Sequence, residues 1–174
     1  MSRRRLLADA VFQGGGVKVI GLVGALSVAE EHGYQWVNVA GTSAGAVVAA
    51  LAAAGYRAGE MARLLDQVDF RTFRDPPRWA RIPLVGPALA VALTKGLYLG
   101  DALEDWVRRA LARRGVRTFA DLLMNDEPDE RFRFKLQVIA ADISRGRMVI
   151  LPQDIALYGV APEELDVARA VRMR

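Results

Sequence analysis

The sequence predicts an α/β protein, a three-layer sandwich around a mainly parallel central sheet. Three observations carry this. Residues 6–54 run strand, helix, strand, helix, an order that builds a parallel sheet with helices on its faces. Hydrophobic residues make up 52% of the 174 positions, enough for a sizeable core and too many for disorder. Glycines at 14–16, 33, 41, 45 and 55 fall at the junctions between the apolar runs, where turns belong.

Each element has its own signal. Leu6 to Gln13 is mostly apolar and reads as a buried strand, broken by Gly14-Gly15-Gly16. Val17 to Glu31 reads as a helix apolar nearly all round, as a helix inside a layered fold should be, with Gly21, Gly24 and Ala25 permitting close approach of a neighbour. Trp36 to Ala40 is a second strand, Gly41 to Gly45 a turn, and Ala44 to Ala54 an alanine-rich helix stopped by Gly55. Ala58 to Val68 is a further helix. From Asp75 to Leu99 prolines and glycines interrupt an apolar stretch, which marks residues 75–99 as a lid or insertion. Asp101 to Arg114 is a helix with an apolar stripe through Leu103, Trp106, Val107, Ala110 and Leu111, and with capping-box-like spacing of Asp101 and Glu104. Phe132 to Ala140 alternates and reads as a strand, turned by Ser144 to Arg147 into a second strand, Met148 to Leu151. Pro162 and Glu163 open a last helix, and the pattern runs to Arg174 without a stop signal. The expectation is one α/β domain over residues 1–174, incomplete at its C-terminus.

Composition narrows the function. The formal net charge is +4, carried almost wholly by arginine; it is read first as a solvated arginine-rich surface, with an anionic partner, nucleic acid or a membrane surface, as the alternative towards which it tilts. With no cysteine and one histidine, there is no disulfide framework, no thiolate nucleophile and no cysteine- or histidine-rich metal site. That composition fits a cytoplasmic protein. The apolar run after Arg3-Arg4-Arg5 ends at Asp9, too soon for a signal sequence. The stretch Ile82 to Thr94, thirteen residues, is too short to span a bilayer.

Two motifs carry chemistry. Gly41-Thr42-Ser43-Ala44-Gly45 is a G-x-S-x-G elbow between a strand and a helix. A nucleophile on so sharp a turn requires glycine two residues away on either side, and the following helix directs partial positive charge at the serine. With four serines and 16 glycines in the chain, about 0.03 such patterns arise by chance. Gly14-Gly15-Gly16-Val17-Lys18 follows the first strand, and its backbone N–H groups can crowd around an anion. A P-loop is absent, and a dinucleotide fingerprint fails at Val19, so no cofactor is expected. Both loops end adjacent parallel strands, which brings oxyanion donors and a nucleophile to one spot. The serine still needs a base. His32 sits at the far end of the first helix and belongs to that helix terminus. A carboxylate therefore serves, or the chain is not a hydrolase.

Around these motifs the sequence resembles the patatin-like phospholipases. The matching stretches are Phe12 to Lys18, Gly21 to Leu26, Val39 to Ala46, Ala140 to Gly146 and Val167 to Arg172. The resemblance implies a Ser-Asp dyad that hydrolyses acyl esters of lipids through an acyl-enzyme, without a cofactor or metal. It implies Ser43 as nucleophile, Gly14, Gly15, Gly16 and the Ala44 N–H as oxyanion hole, Gly41 and Gly45 as elbow glycines, and Lys18 as a basic anion contact. Two departures stand out. Val19 occupies a position where the family has glycine. The family's catalytic Asp lies in an Asp-Gly pair, and this chain has none; the resemblance puts that Asp beyond Arg174, with Asp142, which matches a structural Asp of the family, as the substitute within the chain. A related acyltransferase would share the elbow but pair its serine with histidine. A non-catalytic module that binds lipid or protein is the third reading. The partners expected are a lipid or acyl-ester substrate, a peripheral anionic membrane and a second copy of the chain, without nucleic acid.

Overall fold

The structure is a computed structural model that describes residues 6–68 and 100–173. Four strands form one sheet: β1 (Leu6–Phe12), β2 (Tyr34–Thr42), β3 (Leu136–Asp142) and β4 (Arg147–Leu151), in the order β1-β2-β3-β4. β1, β2 and β3 are mutually parallel, and β4 returns antiparallel to β3. The helices are α1 (Val19–Glu31), α2 (Ala44–Ala53), α3 (Ala58–Asp66), α4 (Asp101–Ala112) and α5 (Val167–Arg172). The segment 75–99, read as a lid or insertion, lies outside the described residues.

The sheet order decides where the helices sit. Successive parallel strands are neighbours, and right-handed crossovers then place α1 and α2 on the same face. α2 is the centre of the core. Ala46 to Ala53 are at most 6% exposed, and their small side chains let the helix lie close to β1, β2 and β3. α4 and α5 pack against α2 from behind, and α3 packs on α1. The described residues thus supply the sheet and one helical layer. On the opposite face of β1, Leu7 and Val11 are 70% and 82% exposed.

One irregularity shapes the β1–β2 pair. The register shifts between Ala8 and Ala10, so that β2 carries an extra residue there. Asp9 Oδ1 accepts a hydrogen bond from the Asn38 N–H at 3.1 Å, which replaces a ladder bond that the bulge removes. Beyond it the pairing resumes one residue out of the earlier register and sets Phe12 against Gly41.

Several elements differ from the sequence reading. α1 buries only Val19, Val23 and Leu26; Ile20 and Val28 are exposed, and nothing lies within 4 Å of a methyl added at Gly21 or Gly24. The neighbour expected against those glycines is absent among the described residues. Asp101 and Glu104 do not cap α4: its N-cap is Gly100, in the left-handed region, with no side-chain cap. Both carboxylates instead meet Arg172 of α5, each at 2.9 Å, in charge-assisted contacts that join the two helices. The strand expected from Phe132 starts at Leu136. Asp129 takes the Arg131 N–H and folds Glu130–Phe132 into a 3-10 turn, which removes the first alternating residues from the sheet. The helix expected from Pro162 is likewise split. Pro162–Glu164 forms a 3-10 turn, and α5 begins only after Asp166, whose side chain caps the Arg169 N–H.

Candidate active site

The site is built where β1 and β2 end side by side. Phe12 pairs with Gly41, so two residues further on Gly14 stands abreast of Ser43. A methyl carbon on Gly14 would lie 2.7 Å from Ser43 Cβ and 3.5 Å from Ser43 Oγ. The glycine loop and the serine are therefore in direct contact, as their spacing requires.

Ser43 has φ 50° and ψ −133°, and among the described residues it alone of the non-glycines has positive φ. An L-residue held there stores strain, which persists only where the surroundings fix it. Here two glycines permit the surroundings to close in. A Cβ at Gly41 would strike the first turn of α2, with Gly45 C at 2.6 Å and Ala46 N at 2.7 Å. A Cβ at Gly45 would strike the end of β1, with Gln13 O at 2.6 Å and Phe12 C at 2.7 Å. Gly45 thus seats α2 on β1, and Gly41 lets the chain fold back over itself. Ser43 is exposed at this turn.

The electrostatics favour an anion beside it. Ser43 is the N-cap of α2 and puts no side-chain cap on that helix end. The Ala44 N–H is one of the first-turn donors with no partner further back in the helix, and the helix dipole adds partial positive charge. Across the gap, Gly15 leads into a 3-10 turn over Gly16–Lys18, closed by Lys18 N–H donating to Gly15 O at 3.1 Å. Gly16 has φ 57° and open space around it. Lys18 is exposed and its stem flanks Gly15, where an added methyl would meet Lys18 Cβ at 3.4 Å. Val19, the departure from the family pattern, begins α1 and is 4% exposed. It fills the core rather than crowding the loop.

The base candidates lie elsewhere. His32 is the C-cap of α1, with Nδ1 2.8 Å from Val28 O. It sits thirteen residues of helix away from the glycine loop, about 20 Å. Asp142 ends β3, three positions past Ile139, the partner of Thr42, and so two positions, about 7 Å, beyond the level of Ser43 along the strand direction. Its carboxylate is already engaged. Tyr158 donates its hydroxyl to Oδ2, and the N–H groups of Ser144 and Arg145 donate to Oδ1 at 3.0 and 3.1 Å. The Tyr158 bond above all lowers the Asp142 pKa; desolvation opposes it, and the two turn N–H groups and the Arg145 charge add to the lowering. Nothing in the sequence flags Tyr158, since it is brought to Asp142 by a 3-10 turn sixteen residues later. Among the described residues, no cluster of His, Cys, Asp or Glu could hold a metal ion, and no helix is long and apolar enough to cross a membrane.

Comparison with known proteins places this geometry. Residues 10–154 match the family model described as patatin-like phospholipase. An uncharacterized protein of Bacillus subtilis (strain 168), YqhO, is 42% identical over 166 residues, which cover 95% of this chain and 54% of that protein. The chain therefore spans about half the length of the curated relative it matches. Among solved structures, the type III effector protein ExoU aligns with a TM-score of 0.57 at 22% identity, covering 95% of this chain and 39% of that one. VipD from Legionella pneumophila aligns with a TM-score of 0.56 at 16% identity, covering 94% and 41%. A match over residues 10–154 takes in both glycine motifs, the elbow and three of the four strands whole, and the chain belongs to the patatin-like phospholipase family.

Proposed function

We propose that this chain carries the nucleophile and oxyanion half of a lipid acyl hydrolase. The observation that supports the reading best is the strained Ser43, exposed at the tip of the elbow and in contact with Gly14. In the reaction, Ser43 Oγ bonds to the carbonyl carbon of an acyl ester, and its proton passes to a carboxylate base. The carbonyl oxygen gains negative charge, which the Ala44 N–H and the N–H groups of the Gly14–Gly16 loop stabilise. The C–O bond of the ester breaks and the alcohol leaves with a proton, giving an acyl-enzyme that water then hydrolyses. Lys18 offers a positive charge to an anionic head group near the loop.

The base is a carboxylate outside residues 1–174, in the part of the protein corresponding to the rest of the B. subtilis relative. Two facts support this over Asp142: its offset of about 7 Å past the level of Ser43 along β3, and hydrogen bonds already occupying both of its oxygens. The protein works in the cytoplasm and touches an anionic membrane peripherally, in keeping with its formal charge of +4. Labelling with a short-chain fluorophosphonate, read by mass spectrometry, tests the nucleophile. Modification of Ser43 is expected; modification elsewhere, or equal labelling of Ser43→Ala, overturns the reading. Absence of any labelling favours the non-catalytic lipid-binding module.

A further inference from the structure

The turn between β3 and β4 stands at the same end of the sheet as the elbow. Ile139 is the partner of Thr42, so Asp142 lies about 7 Å beyond the level of Ser43, and residues 143–146 lie beyond Asp142. This tip is held in place. Asp142 Oδ1 accepts the N–H groups of Ser144 and Arg145, its Oδ2 accepts the Tyr158 hydroxyl, and Gly146 takes φ 61° as the chain returns into β4. On so fixed a turn Ile143 is 72% exposed, and Met148, opposite Ala141 on β4, is 62% exposed.

These side chains belong to one patch. Ile143 borders two shallow clefts: one reaches Met148 and, beside the elbow, Thr42; the other reaches Tyr158 and Met173. Two arginines are interleaved with them. Arg145 lies over the Tyr158 ring at 4.7 Å, and Arg147 lines the first cleft. Their ion pairs, to Asp142 at 3.9 Å and to Asp154 at 3.8 Å, are long, and both side chains stay half-exposed. Single exposed apolar residues are ordinary, but this mixture selects an occupant. A protein layer laid over the patch would strip water from both guanidiniums, a cost that loose ion pairs do not offset. An anionic bilayer surface suits both kinds of group at once. Its phosphates meet the guanidiniums, and the boundary of its acyl layer takes the aliphatic side chains and the tyrosine ring.

We infer that the β3–β4 turn docks this protein on an anionic lipid bilayer, with Ile143 and Met148 in the boundary of the acyl layer and Arg145 and Arg147 against the phosphates. This orientation rests on the reading of Ser43 as a lipid-acyl nucleophile and gives that site a direction. The elbow then stands about 10 Å behind the docked tip, on the neighbouring strand. Ser43 faces the layer in which ester groups lie, and the exposed Lys18 stands beside it.

Residues 1–174 contain no cysteine, so within them Ile143→Cys offers one position for an environment-sensitive dye in the full-length protein. The dye is expected to emit as if in water in buffer, to shift to the blue on vesicles of phosphatidylcholine and phosphatidylglycerol, and to be quenched by lipids brominated high in the acyl chain. Blue emission already present in buffer means that protein covers the turn: a second copy if dilution reverses it, the rest of the chain if not. Water-like emission on bound vesicles means that another face docks. Each of these overturns the assignment. Co-sedimentation reads the affinity, with circular dichroism as the check on folding. Ile143→Asp and Met148→Asp are each expected to weaken binding by at least about tenfold, as loss of a buried aliphatic group does. Arg145→Gln is expected to weaken it about fivefold, the share of one basic group at an anionic surface, and to have no effect on phosphatidylcholine alone. Undiminished binding of both aspartate variants, or an equal loss for Arg145→Gln on both kinds of vesicle, also overturns the assignment. Ethyl fluorophosphonate dissolved in water keeps the two readings apart, since it should label Ser43 equally in Ile143→Asp and in the unaltered protein. Absent labelling with docking intact overturns the nucleophile and leaves the docking surface standing.

Discussion

Gly14 and Ser43 touch: a single methyl group on Gly14 would fall 2.7 Å from the Ser43 Cβ. That contact joins two loops 29 residues apart in the chain and makes the first strand's ending part of the nucleophile's surroundings. The three glycines of the loop are consequently unequal, and their substitution separates their roles.

Gly14→Ala is expected to lower kcat by about 10²–10³, the loss typical of a displaced oxyanion donor, with little change in KM. Gly16→Ala is expected to be strained by its φ of 57°, at about 1–2 kcal/mol, and to lower both stability and turnover. Gly15→Ala is the mildest, because only the Lys18 side chain stands near its Cβ. Steady-state kinetics on a short-chain ester ranks them. A severe Gly15 variant beside a mild Gly14 variant contradicts the geometry.

Ser43→Ala removes the nucleophile and keeps the strain; Ser43→Gly removes both. Both variants are expected to be inactive. Ser43→Gly is expected to be the more stable of the two, by about 1 kcal/mol, since glycine adopts positive φ without a steric penalty. Urea unfolding measures the difference, and equal midpoints would show that the turn is unstrained.

Asp142 is expected to behave as a structural carboxylate. Its pKa is lowered in the fold, above all by the Tyr158 hydroxyl. The stability it contributes is therefore complete above the unfolded carboxylate value of about 4 and is lost as pH falls through the lower folded value. Asp142→Asn should lower Tm at pH 7, and the gap should close as the pH falls below 4. Labelling of Ser43 should persist in this variant. Its abolition, with Tm unchanged, would restore Asp142 as the base.

Glu104 ties α4 to α5. Burial raises its pKa, but hydrogen bonds from Arg172 and Arg108 outweigh this and lower it. The Arg172 bond is 2.9 Å long, and Arg108 also reaches Asp166, the α5 cap. Glu104→Gln is expected to cost about 1–2 kcal/mol, less than a fully enclosed pair would, since both arginines are partly exposed to solvent. Denaturant melts in low and high salt check it; a loss insensitive to salt would point to packing instead.

The sequence is most legible where local pattern and tertiary need agree. Ala44 to Ala54 is apolar on all sides and becomes the buried α2; the elbow's glycines sit where the backbone leaves no room for a Cβ. It is least legible where a distant side chain decides. Asp101 and Glu104 carry cap-like spacing, yet Arg172 claims them from the other end of the chain. Phe132 to Lys135 alternates like a strand, yet Asp129 turns the chain just before it. The α1 pattern shows an all-round apolar helix but cannot show which neighbour covers each side, and Gly24 therefore reads as a contact where the structure has a groove.

The packing at Gly41 and Gly45 also bears on heredity. Every change of a glycine codon that alters the residue adds at least a Cβ, and at these two positions a Cβ lands on backbone rather than on a side chain that can swing aside. The elbow therefore has no neighbouring sequences through which to drift. Lineages that keep this chemistry must vary around two fixed points, and a copy freed from the chemistry should record its freedom there first.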